Sequence, residues 1–174
     1  MVTRIVATPD LSRAAAAHTG LNSIGVALFH TGSPALPGLG GNLPMQFRRG
    51  LPTPTSPLAW DFLSIALSAF AADRFVLRRD AEDGWTRVMA LDIAVQSPAV
   101  WATQSKRLAK ALRFLTGDIW SIRFSPGGSA PPNFQGRLHD RDRRRGGGIA
   151  GSWLRLRVGW RPDHPEHLRD ALLL

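Results

Sequence analysis

A small α+β unit of order α-β-α-β is the fold class the sequence predicts, with a sheet packed on two helices, an irregular N-terminal connection and a mobile C-terminal tail. Three observations predict it. Two helix starts, Ser56-Pro57 and Ser97-Pro98, place a capping hydroxyl before a proline whose missing N–H has no helical partner to lose. Two segments, Trp85–Val95 and Trp120–Phe124, alternate apolar with polar or small residues, as half-buried strands do. After Gly127 neither period is sustained.

At 174 residues the chain has room for one domain with a sizeable core. Ile24-Gly-Val-Ala-Leu-Phe29 reads as a short buried strand, and residues 31–57, dense in Gly and Pro, as a long irregular connection. In the first helix Leu58, Phe62, Ile65, Ala69 and Ala72 form one stripe, with Leu63, Leu67 and Phe70 beside it. Such a helix is apolar around most of its girth and belongs in a core. Asp73-Arg74 ends it as a local ion pair. In the first strand Met89, Leu91, Ile93 and Val95 build the apolar face with Trp85 and Arg87 in phase. A second, amphipathic helix carries Trp101, Leu108, Leu112 and Leu115 and ends at Gly117, a natural C-terminal cap. Phe62, Ile65, Leu91, Ile93, Leu112 and Ile122 are the expected core. Residues 127–162 are expected to be mobile, and His164 to Leu174 to offer a short helix.

Composition narrows the function classes. Hydrophobic residues make up 44% and charged residues 20%, a globular balance. The absence of Cys excludes disulfides, thiolate nucleophiles and Cys-ligated zinc. No secretory leader or spanning segment is apparent, because Asp10 and Arg13 interrupt the N-terminus and Asp61 the most apolar run. A cytoplasmic protein without a membrane partner is expected. The net charge of +9 suggests nucleic acid. Arginine, however, outnumbers lysine 20 to 2, a bias that GC-rich coding produces without selection for binding.

The candidate constellations are sparse. Arg141, Arg143, Arg144 and Arg145 with Trp153 and Trp160 offer phosphate contacts and stacking surfaces, interrupted by Asp140 and Asp142. Nucleic-acid binding there is expected to be weak. His164, Glu166 and His167 read as a surface cluster rather than a metal site, lacking a third His. Gly38-Leu-Gly-Gly41 lacks the Lys-Ser/Thr of a phosphate cradle. Trp60, Trp85, Trp101 and Trp120 lie on patterned elements and read as core. No catalytic, cofactor-binding or metal residue is assigned.

The run Trp60–Arg74 ending in "AADR", then Trp85-Thr-Arg87, the helix start Ser97-Pro-Ala-Val-Trp101, and Phe114-Leu-Thr-Gly-Asp-Ile-Trp-Ser-Ile-Arg-Phe124 resemble, in this order, a bacterial family. It is the QueC-like proteins of Qat-type antiphage defence systems, related to 7-cyano-7-deazaguanine synthase, and the likeness covers residues 57–125 of their N-terminal region. The resemblance implies a PP-loop ATPase relative, in which a Ser-Gly-Gly-x-Asp-Ser loop holds ATP and a carboxylate is activated by adenylation. It implies ATP for full-length relatives and other subunits of a defence complex as partners.

This chain contains no such loop in its own frame. Codons started at the third base of Arg144, with CGN arginines, permit Ser-Gly-Gly-Gly-Asp-Ser across Arg144–Ala150, so out-of-frame sequence after Phe124 is an alternative for the tail. The expected organisation is an N-terminal strand and connection at 1–56, an accessory domain at 57–125 and a basic tail at 126–174. The expected function is a non-catalytic accessory domain of a QueC-like ATPase, truncated relative to that family, with a small nucleic-acid-binding protein as the alternative.

Overall fold

A computed structural model describes residues 2–50 and 55–132. They form a mixed α/β fold, a five-stranded parallel sheet flanked by five α-helices. In chain order these are β1 (Val2–Thr8), α1 (Leu11–His18), β2 (Ser23–His30), β3 (Gly38–Gly40), α2 (Leu43–Gly50), α3 (Pro57–Phe75), β4 (Val88–Ala94), α4 (Pro98–Ala102), α5 (Ser105–Thr116) and β5 (Ile119–Ser125). The strand order β3-β2-β1-β4-β5 reverses direction between β1 and β4, so the sheet is doubly wound with its switch point there.

Parallel strands need crossovers, and the helices supply them on opposite faces. On one face Ile5, Ala7, Val26, Leu28, Met89, Leu91, Ile93, Val95 and Trp120 form the core beneath α3 and α5. On the other, α1 lies across β1 and β2. It comes so close that a Cβ on Gly25 would stand 1.7 Å from the Ala14 carbonyl oxygen, which is why that position has no side chain. Among the described residues no helix covers β4 and β5 on this second face.

The sequence-derived helix over 57–73 is α3, capped by Ser56 Oγ accepting from Ala59 N at 3.2 Å. The helix expected from Ser97 is two segments, α4 and α5, and it ends at Gly117 with φ 77°. The strands at 85–95 and 120–124 are β4 and β5, the first beginning later than expected.

The larger difference is at the N-terminus. Residues 1–56 contribute three of the five strands, and β1 sits at the centre of the sheet between β2 and β4. No domain boundary therefore falls at residue 57. Val2–Thr8 carries no local strand signal because a central parallel strand is covered on both faces and shows no alternation. Gly38–Leu39–Gly40 is an edge strand rather than a loop.

Of the expected core, Ile65, Leu91 and Ile93 are buried, Leu112 and Ile122 are half-buried, and Phe62 is 55% exposed. Trp85 is 70% exposed, not core, while Trp60 is fully buried between Phe29 and Phe47. Among the described residues no helix is long and apolar enough to cross a membrane. The arginine run 141–145, Trp153, Trp160, the His164–His167 cluster, the shifted-frame segment and the tail from residue 133 on lie outside the described residues, while Gly128 and Ser129, expected to be mobile, pack against Val95 and Gln96.

Candidate functional site: three clusters around buried carboxylates

Ligands in doubly wound sheets bind where strand order reverses, in the crevice at the carboxyl ends of the strands. Here the chain fills that crevice itself. The turn after β5 folds back so far that a Cβ on Gly128 would stand 2.4 Å from the Val95 carbonyl carbon. Gln96 Nε2 donates to the Ser129 carbonyl at 3.0 Å, and Arg13 Nη1 to the Pro126 carbonyl at 3.1 Å. The first turn of α1 is also occupied, since Asp10 Oδ1 accepts from Ser12 N and Arg13 N. Its carboxyl is held below the usual range, chiefly by the Ser12 hydroxyl.

Beside this closed crevice stands Asp61, 1% exposed on α3. Its carboxylate accepts from Gln96 N at 2.8 Å, Ser97 N at 3.0 Å and Trp101 Nε1 at 3.1 Å. It thereby fixes the loop between β4 and α4. Phe62 stacks on Trp101 with ring centroids 6.2 Å apart, continuing the clasp to the surface.

At the opposite end of the sheet Asp118 is fully buried. Arg87 donates to it from Nη2 at 2.6 Å, Nε at 3.2 Å and the backbone N at 3.0 Å. Arg78 adds a second fork through Nη1 at 3.0 Å and Nη2 at 3.1 Å. Arg87 also reaches Asp73 Oδ1 at 2.7 Å and the carbonyls of Asp73 and Val76. The expected local pair of Asp73 with Arg74 is thus replaced by a long-range one with Arg87. Burial pushes the Asp118 carboxyl up, and the hydrogen bonds and charge of Arg87 overcome it, leaving the group below its ordinary range. For Arg87, burial pulls the guanidinium down, and Asp118 and Asp73 raise it above its ordinary value.

These two clasps account for the ordered motifs in the sequence. Asp61 lies in "WDF" and holds the backbone of "SPAVW", while Asp73 of "AADR", Arg87 of "WTR" and Asp118 of "FLTGDIW" meet in one network. They tie elements of the fold together.

The third cluster lies on the uncovered sheet face. Asp92, 3% exposed, projects from β4, with Arg123 beside it on β5 and Arg4 reaching across from β1. Arg123 Nη2 and Arg4 Nη2 converge on the same oxygen, Oδ2, at 2.6 and 2.9 Å. Ser125 Oγ donates to Oδ1 at 2.9 Å, and Arg13 Nη2 stands 3.6 Å from Oδ1 while donating to Ser125 Oγ at 2.7 Å. Burial pushes the Asp92 carboxyl up, and hydrogen bonds from Arg123, Arg4 and Ser125 bring it below the usual range. Arg123 is raised in return by its hydrogen bond to Asp92.

The register sets Arg4, Ala90 and Ser121 in one row across β1, β4 and β5. With alanine in the middle, the row leaves an open depression of about 280 Å³ lined by Arg4, Ala90, Asp92, Ser121 and Arg123. Sequence reasoning missed this cluster. Its one signal was an Asp and an Arg at polar phase in otherwise apolar strands, and a parallel register cannot be read from one strand at a time.

No family model, curated protein or solved structure matches the chain.

Proposed function

We propose that the chain is a non-catalytic accessory domain of a QueC-like, 7-cyano-7-deazaguanine synthase-like PP-loop ATPase of a bacterial antiphage defence system, with that ATPase as its partner. The observation that carries this reading is the outer face of α3. Leu58, Phe62, Ala66 and Phe70 recur every fourth residue, so they share one stripe, and all four are exposed. Phe62 to Ala72 contains no charged residue. A helix apolar on every side normally lies in an interior, and an exposed apolar stripe on a folded domain is a partner surface. The filled switch-point crevice supports the same reading, because the usual nucleotide position of such a sheet is occupied by the chain's own turn. ATP would then be held by the partner.

The test is gel filtration of the purified chain with a QueC-like PP-loop ATPase from the same genome, alongside the Phe62→Glu/Phe70→Glu variant. A complex with the native chain and none with the variant is expected, together with no ATP turnover by the chain alone. ATP turnover by the chain alone contradicts the reading. So does tight nucleic-acid binding that persists near physiological salt and is lost on Arg-to-Ala changes at Arg141, Arg143, Arg144 and Arg145.

A further inference from the structure

The Asp92 cluster is out of charge balance. Arg4 and Arg123 share the one carboxylate, an excess of one positive charge around a buried anion, while Arg13 at its edge also has the Asp10 carboxylate beside it. Two guanidinium groups on one carboxylate oxygen are necessarily close to each other, and like charges so placed repel unless something neutralises them. Neither can move off without leaving Asp92 short of a donor. Asp92 therefore acts as a peg that holds two forks in fixed positions on either side of its strand.

Each fork spends one nitrogen on the peg. The side chains of Arg4 and Arg123 make no other hydrogen bond among the described residues, so their Nε and Nη1 groups remain as donors. The two side chains are 53% and 70% exposed and line the depression floored by Ala90. The Ser121 hydroxyl, exposed on the same rim, has no hydrogen-bond partner among the described residues and completes a set of donors around an open volume. Guanidinium forks match the tetrahedral oxygens of phosphate, and the excess of positive charge favours an anion over a neutral ligand.

We propose that Arg4, Arg123 and Ser121, pegged by Asp92 on the open face of β1, β4 and β5, form a binding site for a phosphate group. Asp92, held also by the Ser125 hydroxyl, positions the arginines and is not itself a ligand to the phosphate. The ligand is inorganic phosphate or the phosphomonoester of a small molecule, since the depression is open on its outer side. This inference is independent of the accessory-domain reading.

The experiment is phosphorus NMR titration of the full chain in chloride buffer at constant ionic strength, with inorganic phosphate and with glycerol 3-phosphate as probes. Saturable binding of inorganic phosphate is expected, weakened at least tenfold by Arg123→Ala and several-fold by Ser121→Ala. Arg79→Ala, which removes an equally exposed charge elsewhere, should leave it unchanged. Equal binding of glycerol 3-phosphate assigns the site to esters, and preference for inorganic phosphate assigns it to the free ion. Three results overturn the proposal: no saturable binding, equal weakening by Arg79→Ala and Arg123→Ala, or an Arg123-dependent affinity for short single-stranded DNA far above that for either probe.

Discussion

Two arginine–aspartate networks at different places on one sheet show how alike contacts serve different ends. At the lower end of β4 and β5, Arg87 and Arg78 face Asp118 and Asp73, a balanced set with Arg87 and Asp118 both out of solvent. On the open face, Arg4 and Arg123 share Asp92 as their one counter-charge, and Arg13 stands between Asp92 and Asp10. Distances do not separate the two, since the shortest contact in each is 2.6 Å. Charge balance and access do. A neutral network centred on a buried pair holds the chain together, whereas an exposed one with surplus donors can also hold something else.

The comparison predicts its largest effect at Asp118. Asp118→Ala leaves Arg87 buried without its main counter-charge and should cost about 3–5 kcal/mol, measured by urea unfolding. A loss no larger than that of an ordinary surface substitution would show that water reaches the clasp. Asp61→Ala comes next. It strands two backbone donors and an indole N–H and should cost about 2–4 kcal/mol, with loss of near-ultraviolet signal from Trp101.

Acid gives a graded version of the first test. The folded-state carboxyl of Asp118 lies below the ordinary aspartate value, so its contribution is present above about pH 4 and is lost as pH falls through the folded value. Stability measured from pH 6 down to pH 2 should therefore drop steeply below pH 4. In Asp118→Asn that drop should be shallower, from a lower starting point. The smallest expected effect on stability is at Arg123, whose substitution by Ala removes an exposed side chain and leaves Arg4 and Ser125 on Asp92.

How far the sequence revealed this arrangement follows from the kind of signal each part emits. Ser56, Ser97, Pro57, Pro98 and Gly117 mark helix ends by local chemistry, and those ends are where the structure has them, within the split at Thr103–Gln104. Met89, Leu91 and Ile93 alternate and were legible as the core face of β4. Val2–Thr8 was not, because burial on both faces erases alternation and isolated strands emit no other local mark. Phe62 is exposed rather than core for a related reason: a helix apolar on all sides does not say which side meets the sheet. The Asp92 cluster depends on residues 88 and 31 positions apart, brought together by register alone. The carboxylates Asp61, Asp73 and Asp118 stood inside recognisable motifs, yet only the structure gives each its partners.

The most direct test of the contrast is thermal unfolding of the native chain, Arg123→Ala and Arg78→Ala, each with and without millimolar phosphate at matched ionic strength. The account predicts that phosphate raises the native midpoint. Arg123→Ala should keep a near-native midpoint without phosphate and show no rise with it, while Arg78→Ala should begin lower and still rise. If Arg123→Ala is instead destabilised as much as Arg78→Ala, or rises with phosphate as the native chain does, the open cluster is a second structural clasp and the distinction drawn from charge balance is wrong.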